Sequence, residues 1–206
     1  MKSLFKYLLV FCLFPAQAFS APSPRDFVKS LTDVIMAKVV TGSAPLKQRQ
    51  ETFRSVFTNN ADMDTITKFV LGRSYKSASE EERQAFSKAF TDSVILTWTS
   101  RFMNYAGTEI VFQDTRQDKN DYYVTSSMTI PNSDSNINLI WRVRDNGGQL
   151  KLVDIVAEGV SMIQTYRTEY ASVLQQNDGD VKALIKILQD KNKELAANPS
   201  PVSGKK

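Results

Sequence analysis

The chain has 206 residues, a formal net charge of +4, no histidine and a single cysteine, Cys12. The lack of histidine excludes histidine-dependent catalytic triads and the usual zinc sites, and one thiol cannot form an internal disulfide. Basic and acidic residues are interleaved along the sequence, so no nucleic-acid-binding patch is predicted.

The first 18 residues have the composition of a cleavable secretory signal. Two lysines precede an apolar run over residues 7–14, and residues 15–18 (PAQA) have the small-x-small pattern of a cleavage site. The run is shorter than the roughly 20 residues that span a bilayer, so an uncleaved anchor is the weaker alternative. We expect cleavage after Ala18, which also removes Cys12, and an extracytoplasmic protein.

Helical spacing of apolar residues dominates the chain up to residue 107. Ser23 before Pro24 predicts a capped first helix, and the Ser79 to Glu82 stretch predicts a capping box. The predicted helices run from Pro24 to near Gly42, from Pro45 to Asn60, from Asp62 to Gly72 and from Glu80 to near Gly107.

From Thr108 the apolar spacing changes to a period of two, which predicts four strands. Short turn sequences at residues 117–120, 131–135 and 145–148 connect them, so the sheet should be an antiparallel meander. One face of such a sheet must be covered, and the helices are the available cover. The predicted fold class is therefore α+β, with helices packed on one face of a four-stranded antiparallel sheet.

The sequence returns to helical spacing at Gly159. Ser161 and Gln164 predict a second capping box, and Asn177 or Asp178 is the predicted cap of a last helix. We expect one domain over residues 19–196 and a disordered tail over residues 197–206.

The strongest candidate for acid or base chemistry is the pair Asp154 and Glu158. The two carboxylates are four residues apart on a predicted strand and should point to the same side, where an apolar cavity would favour a general base. The alternative is that neighbouring backbone or arginine groups satisfy both. Ser161 follows a glycine, but the second glycine of a nucleophile elbow is missing, and a helix cap explains the serine.

An aromatic stripe recurs along the long helix, and apolar residues of the predicted strands should face it. Its members are Phe86, Phe90, Trp98, Phe102 and Tyr105. Periodicity leaves two alternatives open, a filled core or a pocket between the helix and the sheet.

Two motifs in register resemble one known family. The first is residues 70–79 (VLGRSYKSAS), and the second joins Asp154 to residues 158–163 (EGVSMI) and 166–167 (YR). Together with the closing residues 184–188 (LIKIL), they resemble the MlaC family of periplasmic lipid carriers, first described as toluene-tolerance auxiliary transport proteins. The resemblance runs from about Arg25 to about Leu195.

The resemblance implies a pocket for lipid acyl chains between the helices and the sheet, with the headgroup largely in water. It implies a periplasmic phospholipid shuttle that works with an outer-membrane lipoprotein complex and an inner-membrane ABC transporter carrying an MCE-domain subunit. Such a carrier needs no catalytic group, metal or cofactor, because lipid is its cargo. The hopanoid-associated HpnM branch makes a hopanoid the alternative cargo, and an enzyme using Asp154 or Glu158 is a less favoured alternative. A third alternative is an interaction protein with a filled core.

The candidate pocket residues combine periodicity with membership of the two motifs. The predicted lipid-binding residues are Val70, Leu71, Tyr75, Phe90, Val94, Trp98, Phe102, Met128, Leu139, Trp141, Val156, Val160, Met162 and Tyr166. Arg73, Lys76 and Arg167 are candidates for contact with the headgroup or a partner, and a solvated surface is an equal alternative for each.

Overall fold

The computed structural model describes residues 22–129 and 136–199. The predicted signal, the predicted turn at 131–135 and the tail beyond Pro199 lie outside the described residues. In chain order the first half contains α1 (Pro24–Val34), a π-helical segment (Ile35–Val40), α2 (Leu46–Asn60), α3 (Met63–Leu71), α4 (Ser74–Ser77), α5 (Glu80–Phe102) and a 3₁₀ turn (Met103–Tyr105).

Side-chain caps fix where three of these helices, α1, α3 and α5, begin. The Ser23 hydroxyl accepts from the Asp26 amide at 3.1 Å, and Asp62 accepts from the Thr65 amide at 3.0 Å. The predicted capping box at α5 is complete, because Ser79 and Glu82 each accept a hydrogen bond from the backbone of the other. The four-residue helix α4 is too short to produce a periodic signal, and the sequence analysis missed it.

The strands are β1 (Ile110–Asp118), β2 (Asp121–Thr129), β3 (Asn136–Asp145), β4 (Leu150–Ala157) and β5 (Val160–Ser161). They form one sheet in the order β1-β2-β3-β4-β5, and every neighbouring pair is antiparallel. The α+β class and the meander are confirmed. The sheet has a fifth strand because two residues after the turn at Gly159 pair back onto β4, a segment too short to show alternation.

Two helices follow the sheet, α6 (Met162–Gln176) and α7 (Val181–Ala197). The Ser161 hydroxyl accepts from the Gln164 amide at 3.1 Å, but the Gln164 side chain donates to Thr168, so the second predicted capping box is half formed. Asp180 caps α7, rather than Asn177 or Asp178. The helix α7 includes Ala197, one residue of the predicted tail.

The buried apolar side chains form two packed clusters. The first, the helix core, combines residues of the π-helical segment, α2, α3, α5, α6 and α7, and no described strand residue belongs to it. The second, the sheet core, joins Phe27 and Val28 of α1 to Val124 of β2 and Val143 of β3. The helix α5 packs on α7, α2 and α3, so its aromatic stripe does not pack on the sheet as we expected.

Candidate functional site

The helix α1 covers only part of one face of the sheet. Residues directly opposite each other in neighbouring antiparallel strands share a face, and the face that carries the sheet core is called here the α1 face. Beyond α1 this face continues in two rows of paired residues. They are Ile110, Met128 and Ile137 in one row and Leu139 and Ala157 in the next, and this group is called the open half.

The open half is apolar and packs into neither core. Its five residues belong to neither the helix core nor the sheet core among the described residues. Leu139 is 8% exposed and the others are half-buried. The sequence analysis named Met128 and Leu139 from this group and missed Ile110, Ile137 and Ala157, although Ile110 and Ile137 follow the same period-two pattern.

A β-bulge corrects the predicted placement of Val156. Leu152 lies opposite Val143, but Asp154 lies opposite Arg142, so β4 gains one residue between these pairs. The alternation reverses there, and Val156 lies opposite Ile140 on the face away from α1. Leu152 and Val156 therefore lie on opposite faces, whereas the predicted alternation along this strand placed them on one face.

The other predicted residues in and next to the sheet are buried to different extents. Val160 pairs with Ala157 on the α1 face but is 58% exposed, because it lies at the tip of the β4–β5 hairpin. Trp141 belongs to the packed surroundings of the sheet core, and its Nε1 donates to the Ser126 hydroxyl at 2.9 Å. Met162 is the first residue of α6 and is half-buried.

On the helical side, three half-buried aromatic residues line the edge of the helix core. Trp98, Phe102 and Tyr166 pack against this core without being fully buried, and they are called here the aromatic rim. The Trp98 Nε1 donates to the Tyr166 hydroxyl at 3.0 Å, and the Trp98 and Phe102 rings are 5.8 Å apart between centroids. Burial raises the pKa of Tyr166, so the rim carries no charge at neutral pH.

The remaining helical candidates lie inside the helix core or away from the rim. Val70, Leu71, Phe90 and Val94 are buried in the core, where protein side chains already surround them. Tyr75 borders a polar surface cleft of about 410 Å³, and the Arg83 guanidinium lies 4.3 Å from the centre of its ring. The structure thus brings the rim residues together and separates Tyr75 from them.

Both carboxylates of the predicted pair accept hydrogen bonds within the protein. Asp154 is 7% exposed, and it accepts hydrogen bonds from the amides of Ile155 at 2.8 Å and Ile163 at 3.2 Å and from the Ser161 hydroxyl at 2.6 Å. Glu158 lies beyond the end of β4, in a turn with a positive φ of 48°, and accepts from the Asn138 amide. The two residues do not form the same-side pair that we predicted, because β4 ends at Ala157.

The basic candidates surround a surface cleft of about 450 Å³ at the end of α3. Its lining contains Lys68, Arg73, Lys76 and Arg167, and Lys68 was missed by the sequence analysis although it lies in the last turn before Gly72. Arg167 is half-buried, and its Nη1 donates to the Phe69 carbonyl at 3.0 Å. The carbonyls at a helix C-terminus lack intrahelical partners, so Arg167 caps α3.

Two further features are absent from the described ranges, 22–129 and 136–199. No three Asp, Glu, His or Cys side chains in them are placed to hold a metal ion. No helix in this part of the chain is both long and apolar enough to cross a bilayer.

The fold and the site together define an α+β protein in which an apolar sheet surface lies outside both packed cores and an aromatic helix edge is half-buried. The family model described as "MlaC protein" matches residues 25–190. The chain therefore belongs to the MlaC family.

Known relatives cover nearly the whole chain. The intermembrane phospholipid transport system binding protein MlaC of Haemophilus influenzae is 20% identical over 204 residues, which cover 95% of each chain. Toluene tolerance protein ttg2D of Pseudomonas putida is 19% identical over 183 residues, covering 86% of this chain and 85% of that protein.

One solved structure shares the fold. It is a phospholipid-binding protein from Ralstonia solanacearum in complex with a phospholipid, and it superposes with a TM-score of 0.73 at 23% identity. The superposition covers 82% of this chain and 97% of that chain.

Proposed function

We propose that this protein is a periplasmic carrier that binds the acyl chains of a phospholipid between the aromatic rim and the open half of the sheet. The observation that carries the proposal is the separation of the two cores, which leaves the open half outside both clusters and the aromatic rim half-buried at the edge of the helix core. An apolar ligand would cover these side chains and would itself be removed from water.

The names of the relatives support phospholipid as the cargo. The relative from Haemophilus influenzae is named as a phospholipid transport binding protein, and the Ralstonia solanacearum structure contains a phospholipid. The proposal extends this cargo to the present chain. It includes the predicted export by residues 1–18 and transfer between an outer-membrane lipoprotein complex and an inner-membrane MCE-domain ABC transporter.

The physical need for a carrier is large. Each buried methylene contributes about 0.8 kcal/mol, so two acyl chains with about 30 methylenes cost on the order of 20 kcal/mol to expose to water. A protein that covers the chains removes most of this barrier without any catalytic group. The use of Asp154 and Glu158 as backbone hydrogen-bond acceptors also favours a carrier over an enzyme.

The test is mass spectrometry of lipid extracted from the purified protein, for the wild type and two variants of β2. Met128→Glu places a carboxylate in the open half, and Ser127→Glu places it one residue away on the other face. We expect about one phospholipid per wild-type and Ser127→Glu chain, and a loss of lipid in Met128→Glu because the buried charge excludes acyl chains.

Circular dichroism of both variants establishes that they are folded before lipid is compared. Equal lipid content in the two folded variants would contradict the proposed location. A wild-type protein that yields no lipid and takes up no labelled phospholipid would contradict the function itself. Recovery of hopanoid alone would identify hopanoid, and not phospholipid, as the cargo.

A further inference from the structure

The basic cleft at the end of α3 has a lining without any acidic residue. Lys68 comes from the last turn of α3, Arg73 and Lys76 come from the α4 region, and Arg167 comes from α6. None of the four forms an ion pair among the described residues. Four like charges around one concavity repel each other, and an anion in the cleft would offset that repulsion.

Local structure accounts for only part of this charge. Lys68 complements the helix macrodipole in the last turn of α3, and Arg167 caps the Phe69 carbonyl. Lys76 lies in the last turn of the four-residue α4, whereas Arg73 has neither role, and both side chains are exposed. The sequence from residue 65 to residue 79 contains no Asp or Glu that could neutralise them.

The guanidinium of Arg167 lines the cleft, and one of its edges donates no hydrogen bond to the described residues. Its Nη1 is bound to the Phe69 carbonyl, whereas Nε and Nη2 have no acceptor among the described residues. These two atoms lie beside Gly72, where an added Cβ would be 3.6 Å and 3.3 Å from them. The Nε and Nη2 edge is a fork of parallel donors, the arrangement that binds two oxygens of one phosphate.

We propose that this cleft is a binding site for a phosphate group, in which Arg167 provides the bidentate contact and Lys68, Arg73 and Lys76 provide charge. The phosphate group has two candidate sources, the headgroup of an anionic lipid at a bilayer surface and a free phosphate-bearing molecule. None of the residues that line the cleft belongs to the aromatic rim or the open half, so the proposal does not depend on the proposed lipid pocket.

The test uses inorganic phosphate and vesicles with the full exported chain. Backbone amide resonances of residues 68–76 are followed by NMR during a phosphate titration at constant ionic strength, because salt screens exposed charges. The variant Arg73→Gln/Lys76→Gln is compared with Lys38→Gln/Lys47→Gln, which removes the same charge from exposed positions outside the cleft. The variant Arg167→Lys retains charge but loses the fork.

We expect saturable shifts in the wild type and the Lys38→Gln/Lys47→Gln control, with the half-saturating phosphate concentration about tenfold higher in Arg73→Gln/Lys76→Gln. Folded Arg167→Lys should also bind more weakly. Flotation with phosphatidylglycerol-containing vesicles, lost in Arg73→Gln/Lys76→Gln and competed by phosphate, would identify the headgroup as the source. Phosphate binding without flotation would identify a free phosphate-bearing molecule.

The proposal is overturned if residues 68–76 show no saturable shift, or if both double variants respond as the wild type does. That result would leave the lipid-carrier proposal standing, because lipid extraction measures the other site.

Discussion

Asp154 holds the junction between β4 and α6 through three hydrogen bonds made by one buried carboxylate. Two donors are backbone amides, and the third is the Ser161 hydroxyl, which itself caps α6. A buried donor that loses its acceptor retains the cost of desolvation, so the junction is sensitive to this residue. The motif residues Asp154 and Ser161 thus have a structural role at the helix start.

Replacement of Asp154 by alanine is expected to lower the free energy of unfolding by about 3 kcal/mol, because three donors lose a charged acceptor. Urea unfolding monitored by circular dichroism measures the change. The control is Asp33→Ala, which removes an exposed i,i+4 ion pair with Lys29 and should cost less than about 1 kcal/mol. Equal effects of the two substitutions would show that Asp154 is not an organising residue.

Gly72 has a backbone conformation that other residues rarely adopt, with φ 58° and ψ −122°. Its missing side chain also leaves room for the Arg167 guanidinium, which would be 3.3 Å from an added Cβ. We expect Gly72→Ala to lower the free energy of unfolding by about 2 kcal/mol, since strain and crowding combine.

The matched control for this glycine is Gly147→Ala. Gly147 also has a positive φ, of 69°, but nothing lies within 4 Å of an added Cβ. Its substitution should therefore cost less than that of Gly72 in the same urea unfolding measurement. A larger cost at Gly147 would contradict the role of the close approach between Gly72 and Arg167.

At the scale of elements, the contact between α5 and α6 depends on two tyrosines, the buried Tyr170 and the half-buried Tyr166. Tyr170 packs edge-on against Phe86 at 5.9 Å, and Tyr166 packs edge-on against Phe90 at 5.1 Å. Burial raises the pKa of both tyrosine hydroxyls above the usual range, so the folded state favours their neutral forms.

The raised pKa values of these two tyrosines predict that the free energy of unfolding falls at alkaline pH. Below the unfolded-state pKa of about 10, both tyrosines are neutral in both states and the stabilisation is complete. As the pH rises above that value, the unfolded chain releases protons that the folded protein retains, and the free energy of unfolding falls by up to about 1.4 kcal/mol per pH unit for each group.

Urea unfolding between about pH 9 and pH 11 tests the prediction on the wild type, Tyr170→Phe and Tyr166→Phe/Tyr170→Phe. Each substitution removes one titrating hydroxyl from the packed contact, so the decline should become shallower in two steps. The three proteins differ only in these tyrosines, so a difference between their slopes reports the tyrosine hydroxyls. Identical slopes for all three proteins would contradict the prediction.

The sheet illustrates which features local sequence can predict. The alternation of β2 and β3 predicted Met128 and Leu139 on one face, because side-chain direction follows directly from the period of two. Val156 was misplaced because the bulge opposite Arg142 has no signature in residue types. Register shifts arise from pairing between strands, and such pairing is absent from any single stretch of sequence.

On the helical side of the candidate site, local sequence again predicts some features and leaves others open. Periodicity predicted that Phe90 and Trp98 lie on the packed stripe of α5. It gave no means to separate the core residue Phe90 from the rim residue Trp98, because that difference depends on where α6 crosses α5. The basic cleft was found in part, since Arg73 and Lys76 lie in one motif but Arg167 approaches from a distant helix.

At the scale of the molecule, the two cores differ greatly in size. The helix core contains buried residues from six helical elements besides short connections, whereas the buried part of the sheet core consists of Phe27, Val28, Val124 and Val143. Segments with fewer buried apolar contacts open at lower free energy than the rest of a protein. The sheet is therefore the layer whose stability should depend most on bound lipid.

Removal of lipid is expected to raise amide hydrogen exchange in β2 and β3 around Met128 and Leu139 more than in α5. The proposed lipid contacts both layers, but the sheet has the smaller buried core, so local openings of the sheet should gain the most protection from the ligand. Exchange measured by mass spectrometry on loaded, stripped and reloaded protein tests this expectation, and reloading should restore protection. Met128→Glu should exchange like the stripped wild type whether or not lipid is added, whereas Ser127→Glu should respond as the wild type does. Equal changes in α5 and the sheet would contradict the expectation that the sheet depends most on the lipid.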